Sequence, residues 1–286
     1  MGIAGDDRQT RPEAQRRVIQ RHGRVTRAWH WITVLCLLVL LMSGLQIFNA
    51  HPALYWGHTS TFEEPALQIT AQRNDDGRPM GLLRIGGFEF ETTGLLGLSH
   101  HDGKLDVRAF PAWITLPGPQ WLAMGRYWHF AAAWVFAPLL FAYLIYSLIS
   151  ARRRRRIWPT AAQWRGLPRT IAHHARFKFD HRPDYNGLQK ITYLLVLFGL
   201  LPLMVATGLT MSPTMGAAWP WLLDVFGGRQ SARTIHFIGA FSLVAFFVVH
   251  LVLVLVSGVV NNLRSMITGG YAVAEEADPN RDRNHG

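Results

Sequence analysis

Four long apolar segments, each flanked by polar sequence, dominate the pattern of the chain. They span residues 28–50, 124–150, 188–211 and 233–263. A helix needs about 20 predominantly apolar residues to cross a bilayer, and each segment reaches that length. The fourth segment has no acidic or basic side chain between Arg233 and Arg264, His aside. The pattern therefore predicts four transmembrane helices, numbered 1 to 4 along the sequence.

The polar segment between helices 1 and 2, residues 51–123, has a different pattern. Short strand-like runs occur at residues 82–85, 88–93, 105–110 and 112–116. Turn signals such as NDDG and HDG separate these runs or precede them. Short apolar or alternating runs bounded by such turns are typical of β-strands. We therefore expect a small β-containing insertion.

Basic residues are distributed unevenly between the polar segments. The N-terminal tail, residues 1–27, is rich in Arg, and the loop 151–187 contains the run from Arg152 to Arg156. The positive-inside rule therefore predicts that both termini, including the tail 264–286, and the basic loop face the cytoplasm. The insertion and the loop 212–232 would then face the periplasm. The predicted fold class is an all-α membrane protein: a four-helix transmembrane bundle with a small β-containing periplasmic insertion between helices 1 and 2.

The composition agrees with a membrane protein. Hydrophobic residues make up 49% and charged residues 16%, against about 25% charged in a typical soluble domain. Most of the net charge of +11 lies outside the apolar segments, which favours basic flanks in contact with membrane lipid over a nucleic-acid binder. The single cysteine, Cys36, excludes a disulfide framework, a cysteine-ligated iron–sulfur cluster and covalently attached haem.

Four histidines lie in the apolar segments: His30, His129, His236 and His250. Ionisable side chains are costly in a membrane and indicate function. His236 and His250 are 14 residues apart, so they leave the same face of helix 4 about 21 Å apart along its axis. The predicted topology places His129 and His236 at the outer level (the outer pair) and His30 and His250 at the inner level (the inner pair). Two facing imidazoles at each level predict two bis-histidine b-type haems, with these four residues as iron ligands.

Other residues accompany these histidines at regular spacing. Gly44 lies 14 residues after His30, where a glycine would let a flat macrocycle approach helix 1; the alternative is helix–helix contact. Arg27, Arg126 and Arg233 each precede a histidine by three residues. From one turn away, each could pair with a haem propionate, or serve only as an interfacial anchor.

The stretches RAWHW, GRYWHF and RTIHF, the last followed by VVH, carry a resemblance to a known superfamily. Together with residues 185–213 they resemble the bacterial di-haem cytochrome b superfamily. This includes cytochrome b-561 and NiFe-hydrogenase-type cytochromes b, and the chain looks most similar to thiosulfate reductase cytochrome b subunits. The resemblance implies a quinone beside the inner haem, near the opening of helix 3. There Asn186, Gln189 and Lys190 offer hydrogen-bond donors, with helix capping and anchoring as the alternative roles.

The resemblance also implies a partner for the insertion. Relatives with a large insertion after helix 1 are similar to membrane partners of periplasmic molybdenum enzymes, so residues 51–123 would form a docking surface. Five aromatic side chains of the insertion suit such an interface: Trp56, Phe88, Phe90, Phe110 and Trp113.

The function predicted from the sequence is electron transfer between a periplasmic redox enzyme and the quinone pool, in a bacterial inner membrane. One alternative is a stand-alone quinone-linked superoxide oxidase. Another is a membrane anchor for a soluble enzyme without quinone chemistry of its own. A transporter that uses membrane histidines would need further ionisable residues along a path, and the only nearby acidic residue, Asp224, lies in a loop.

Overall fold

The structure, a computed structural model, describes residues 16–150, positions 158, 160 and 165, and residues 187–274. The chain forms two compact units. The first combines the residues up to Trp31 with those from Val248 onward, and the second is Ile32–Phe247. The run Arg152–Arg156, nearly all of the basic loop and Asn186 lie outside the described residues.

Among the described residues, four helices are long and apolar enough to cross a membrane. Their candidate spans are Arg24–Phe48 (α1), Leu122–Ile149 (α2), Lys190–Met211 (within α3) and Arg229–Val256 (α6). The loop between α3 and α6 contains two short helices, Pro213–Ala218 (α4) and Trp221–Phe226 (α5). Many large apolar side chains on the long helices are exposed, as contact with lipid tails requires.

Two of the long helices are irregular, and each irregularity has a local cause. The helix α3 consists of Gly187–Leu194, a π-helical stretch Leu195–Leu200, and Leu201–Met211. Pro202 follows the π-helical stretch and has no N–H to donate to the preceding turn, so the wider turns precede it. The helix α6 ends at Val256, before Gly258 with a φ of 98°. A short helix, Val259–Ile267 (α7), begins after this left-handed residue.

The insertion contains an antiparallel sheet and a hairpin. The sheet has the order β2-β3-β4-β5, and β6 and β7 pair as the hairpin. The strands are Ala53–Leu54 (β2), Leu67–Arg73 (β3), Pro79–Ile85 (β4), Phe88–Glu91 (β5), Gly97–His101 (β6) and Lys104–Arg108 (β7). The small β-containing insertion is thus present, and three of the four predicted strand-like runs overlap strands.

The fourth predicted strand, residues 112–116, was wrong. Ala112–Ile114 form a 3₁₀ turn that begins after Pro111. The Thr115 hydroxyl donates to the Ala112 carbonyl over 3.1 Å. A local side chain–backbone bond of this kind competes with strand pairing, which explains why the β-branched residues here do not form a strand.

Buried hydrogen bonds attach the end of the insertion to α1. The Asn49 side chain donates to the Phe110 carbonyl over 3.1 Å and accepts from the Phe110 N–H over 2.7 Å. Gln46 donates to the Pro119 carbonyl over 3.0 Å. The core below these bonds joins the end of α1 to the insertion, and its buried members are Leu45, Phe48, Leu54, Ile69, Ala109 and Phe110.

The beginning of the insertion is held against the start of α6, and we call residues 51–57 together with this helix start the junction. Thr234 donates its hydroxyl to the Tyr55 carbonyl over 2.6 Å, and the Gly57 N–H donates to the Ser231 hydroxyl over 2.7 Å. Arg233 donates to the His51 carbonyl. The insertion is therefore fixed to the helices at both of its ends, within the second unit.

The first unit has its own small sheet. Arg16–Gln20 (β1) pairs antiparallel with Gly270–Ala274 (β8), so the two ends of the described chain meet. Asn261 in α7 both donates to and accepts from the backbone of Ala272, over 2.8 and 2.9 Å. These bonds tie α7 to β8.

We expect the junction to lose stability as the pH falls. Burial, and then the positive charge of Arg233, lower the pKa of His51 from its ordinary value of 6.5. Because the unfolded chain takes up this proton first, acid favours unfolding below about pH 6.5. Protease cleavage of the insertion in detergent, followed between about pH 8 and 5, should accelerate in acid. His51→Gln should lose much of this dependence, and exposed His58→Gln should keep it; equal profiles for the two variants would contradict the assignment.

Candidate functional site

In the second unit the side chains of the two predicted outer histidines lie next to each other. His129 lies in the second turn of α2, and His236 lies in the second turn of α6. Their ring centres are 6.3 Å apart and the ring planes are inclined by 60°. Sequence alone predicted that these residues share a level, and the structure places them within reach of a common ligand.

The imidazole of His129 is supported by α1. Its Nδ1 lies 3.1 Å from the Ser43 hydroxyl. The next residue, Gly44, is so close to the ring that a Cβ there would lie 3.4 Å from Cε1 of His129. Ser43 is fully buried, so its hydroxyl has no access to bulk water.

The imidazole of His236 is supported by α3 in the same way. Its Nδ1 lies 2.9 Å from the Thr207 hydroxyl. A Cβ on the next residue, Gly208, would lie 3.5 Å from Cε1 of His236. Thr207 is also fully buried. The two halves of the bundle therefore repeat one arrangement: a hydroxyl and a glycine on one helix hold a histidine on another.

The hydroxyls determine which imidazole nitrogen carries the proton. Ser43 donates its own hydrogen to the Val39 carbonyl over 2.6 Å, and Thr207 donates to the Leu203 carbonyl over 2.7 Å. Each hydroxyl can then only accept from the imidazole, so Nδ1 of each histidine is the donor. Nε2 of each ring is left with a lone pair, which is the form of imidazole that ligates a metal.

The outer pair fits a haem iron. An iron–imidazole bond of about 2 Å, and about 1.1 Å from the nitrogen to the ring centre, place the centres of two rings on opposite sides of one iron about 6.2 Å apart. The observed separation of the ring centres is 6.3 Å. Among the described residues no group of three or more His, Cys, Asp or Glu is placed to hold a metal ion. Haem iron needs only two protein ligands, because the porphyrin supplies the other four.

The two inner histidines both belong to the first unit. His250 lies close enough to His30 for a charge on one to act on the other. Nδ1 of His30 is buried and has no hydrogen-bond partner among the described residues. The Trp31 ring stands edge-on to the His30 ring, with the ring centres 5.1 Å apart. The indole Nε1 of Trp31 donates to the Met266 carbonyl over 3.2 Å. His30 therefore lacks, among the described residues, the Nδ1 contact that Ser43 and Thr207 give to the outer histidines.

The three arginines predicted to pair with propionates have different surroundings. Arg27 donates to the Ile267 carbonyl, and its Nε is buried with no partner among the described residues. Arg126 is exposed and lies 5.7 Å from the centre of the Phe130 ring. Arg233, which donates to the His51 carbonyl, also lies 5.5 Å from the centre of the Phe48 ring. Propionate pairing stays a prediction for all three.

Of the predicted quinone residues, Lys190 is the one whose side chain is described. It is 8% exposed, and its ammonium donates to the Trp158 carbonyl over 3.5 Å. Gln189 lies in the first stretch of α3, and Asn186 lies outside the described residues. An ammonium has three N–H donors, and the contact to Trp158 described here uses one of them.

The predicted interface aromatics fall into two groups. Four of them are more than half exposed: Trp56, Phe88, Phe90 and Trp113. The inclusion of Phe110 was wrong, because this residue is 4% exposed and packs 5.7 Å from Phe48, ring centre to ring centre. Phe110 directly follows β7 and belongs to the core that attaches the insertion to α1.

An apolar cavity of about 540 Å³ lies between the insertion and α6. Its walls include Leu54, Leu67, Phe237 and Phe241. The two hydroxyls of its lining already donate hydrogen bonds to backbone carbonyls. Thr234 donates to Tyr55, and Ser242 donates to Ile238. Neither hydroxyl is available for a quinone carbonyl, and Trp56 is the other lining residue with a side-chain donor.

Sequence reasoning missed Ser43, Thr207 and Gly208. A signal for them exists, because helices 1 and 3 both contain a hydroxyl residue followed by Gly and Leu, at residues 43–45 and 207–209. The repeat is short, and only the contact of each hydroxyl with a histidine on another helix gives it meaning.

Four apolar helices and two histidines whose ring centres are 6.3 Å apart are features expected of a membrane cytochrome of the b type. Residues 21–269 match the family described as prokaryotic cytochrome b561, and the chain belongs to that family. Membership implies haem b and membrane electron transfer, in a protein of the prokaryotic inner membrane.

One relative from Azospira oryzae is named putative protein-methionine-sulfoxide reductase subunit YedZ1. The two chains are 27% identical over 250 residues, which cover 87% of this chain and 96% of the relative. No solved structure matches the chain significantly.

Replacing Gly44 or Gly208 by valine should remove the haem of the outer pair. Alanine should be tolerated at both, because its Cβ would make ordinary contacts at 3.4 and 3.5 Å from the histidine rings. The further methyl groups of valine would displace the rings. Haem content per polypeptide measures the effect. Gly199→Val is the control, because a Cβ there would meet Leu195 at 3.9 Å. Full haem content in both Gly→Val variants would contradict the fit.

Proposed function

We propose that this protein is a di-haem b-type cytochrome that passes electrons between a periplasmic redox enzyme and the quinone pool. The observation that carries the proposal is the 6.3 Å separation of the His129 and His236 ring centres. Both rings also have Nδ1 bonded to a hydroxyl, which leaves Nε2 of each for iron. A pair of histidines packed only for helix contact has no reason to keep this spacing and this tautomer together.

A second haem would be held by His30 and His250. Both residues lie in the first unit, and they are close enough for a charge on His250 to act on His30. The helix α6 contributes one histidine to each pair, as the 14-residue spacing predicted. These observations support two haems rather than one.

When bound, haem b supplies one-electron redox chemistry between ferric and ferrous iron. The protein's part is to bind, orient and insulate. His129 and His236 would provide the axial nitrogens, and Gly44 and Gly208 leave room beside their rings. Arg27, Arg126 and Arg233 would pair with propionates at the helix starts.

The insertion would dock the external redox partner. Its attachment to α1 and α6 supports this role, because a partner bound there would be held near the helix ends that carry the outer pair. Phe88 and Phe90 are 72% and 51% exposed on β5, an edge strand of the sheet. The name of the Azospira relative, a reductase subunit, supports a reductase as partner, and the cytochrome b resemblance favours a molybdenum-containing one. In this arrangement the insertion is periplasmic and both termini are cytoplasmic.

Quinone would bind at the opening of α3, through Asn186, Gln189 and Lys190. The burial of Lys190 supports this placement, since a buried ammonium next to an apolar helix is a strong donor for a quinone carbonyl.

Single replacements of the four histidines test the haem assignment. His129→Leu and His236→Leu should each lose the same haem, and His30→Leu and His250→Leu the other, because each iron needs both of its ligands. The optical spectrum and haem content of the purified protein measure this. His100→Leu, at an exposed position of β6, should keep both haems. Loss of different haems within one pair would contradict the pairing.

Replacing Lys190 by Met should slow electron exchange with quinone while both haems remain. Loss of one donor to the bound quinone is worth about tenfold in rate, from ~1.4 kcal/mol per hydrogen bond. Haem reoxidation by a soluble quinone, followed by stopped-flow absorbance, measures it, with exposed Lys104→Met as the control. Equal rates in Lys190→Met and the control would exclude this site and leave the anchor without quinone chemistry as the better function.

A further inference from the structure

We propose that Ser43 and Thr207 are positioning residues that set the reduction potential of the outer haem. Each would hold the Nδ1 proton and the ring orientation of one axial histidine. The inference rests on the proposed function, because it requires His129 and His236 to ligate iron. It concerns two residues that make no contact with iron themselves.

The two hydroxyls have the same geometry, and this repetition carries the inference. Ser43 lies 3.1 Å from Nδ1 of His129, and Thr207 lies 2.9 Å from Nδ1 of His236. Each donates to the carbonyl four residues earlier in its own helix, Val39 or Leu203. A buried hydroxyl often bonds back to its helix in this way; contact with a histidine on another helix is an added feature, and it occurs twice.

A second acceptor lies beside each hydroxyl. The Leu40 carbonyl is within hydrogen-bonding range of the His129 ring, and the Met204 carbonyl is within range of the His236 ring. Each of these carbonyls belongs to the residue three positions before the hydroxyl. A ring N–H is favoured beside such carbonyls, which agrees with the Nδ1 proton assigned from the hydroxyl contacts.

The hydrogen bond acts on the iron through the ring. An imidazole that donates from Nδ1 becomes more basic at Nε2 and a better ligand. A more basic ligand stabilises ferric iron more than ferrous iron, so it lowers the reduction potential. The hydroxyl is a strengthened acceptor here, because its own hydrogen is already donated to a carbonyl. Removing the hydroxyl should therefore raise the potential.

The inner pair provides an internal comparison. Nδ1 of His30 has no hydrogen-bond partner among the described residues, so no hydroxyl is described at Nδ1 of that histidine. Loss of Ser43 or Thr207 should change the outer haem and leave the inner haem as it is. A general loosening of the bundle would change both.

Thr210 is a matched control for Thr207. It lies one turn further along the same helix, is also fully buried, and donates to the Ala206 carbonyl over 2.8 Å. Its described bond is to its own helix rather than to a histidine. Thr207→Val and Thr210→Val therefore remove the same hydroxyl from neighbouring turns, and they differ in the histidine contact.

The experiment is a redox titration of the two haems in purified full-length protein, with Ser43→Ala, Thr207→Val and Thr210→Val compared with the parent. In the first two variants the reduction potential of the outer haem should rise by about 59 mV, which is a tenfold change in the equilibrium constant for one-electron reduction. The low-spin EPR signal of that haem, whose g anisotropy depends on the angle between the imidazole planes, should change as well. Thr210→Val should change neither, and Ser43→Thr and Thr207→Ser should restore both.

The outcomes separate this inference from the function on which it rests. If the parent protein binds no haem at the outer pair, the proposed function fails. If Ser43→Ala and Thr207→Val keep both haems at unchanged potential, the inference is wrong and the function stands. Loss of the outer haem in both variants would also overturn it, because the hydroxyls would then be needed for haem insertion. Should one variant fail to assemble, the other decides.

Discussion

The structure depends on bringing two neutral imidazoles together inside an apolar bundle. A buried polar ring is costly unless its nitrogens are bonded, and a membrane offers no water for the purpose. In the outer pair, Nδ1 of each ring meets a buried hydroxyl, at 3.1 and 2.9 Å. The other nitrogen of each ring needs a partner too, and iron between the rings would satisfy both at once. This arrangement requires small residues at positions 44 and 208. A bulky side chain at Gly44 or Gly208 would occupy the space of the imidazole rings.

The supporting helices and the ligand helices have separate tasks. Histidines come from α2 and α6, whereas the hydroxyl and glycine that hold each ring come from α1 and α3. The third helix, which contributes no histidine, is therefore as much a part of the site as the others. The insertion is attached to α1 through Asn49 and to α6 through Thr234, so the insertion and the outer pair are built on the same helices. This arrangement suits a family of membrane electron-transfer proteins.

Several features of the site and the fold were readable from local sequence, and others were not. The 14-residue spacing of His236 and His250 predicted that one helix contributes to two pairs, because a regular helix converts spacing into direction. The strand predicted at residues 112–116 failed, since a hydroxyl-to-carbonyl bond at Thr115 outweighs β propensity there. Phe110 was predicted to belong to an interface because an aromatic at the end of a short strand-like run carries no sign of what it packs against. Its partner Phe48 lies on α1.

The sequence by itself determined the number of apolar helices, the strands at the centre of the insertion, and the histidines that enter the membrane. These depend on length, composition and periodicity, which are local properties of the chain. Only the tertiary structure decided that Ser43 holds His129, 86 residues away, and that Thr207 holds His236. Such contacts depend on which helices pack together and at what rotation, and a rotation of a few tens of degrees would send each hydroxyl to lipid or to another helix. Packing therefore decided the tautomer and the facing of the rings.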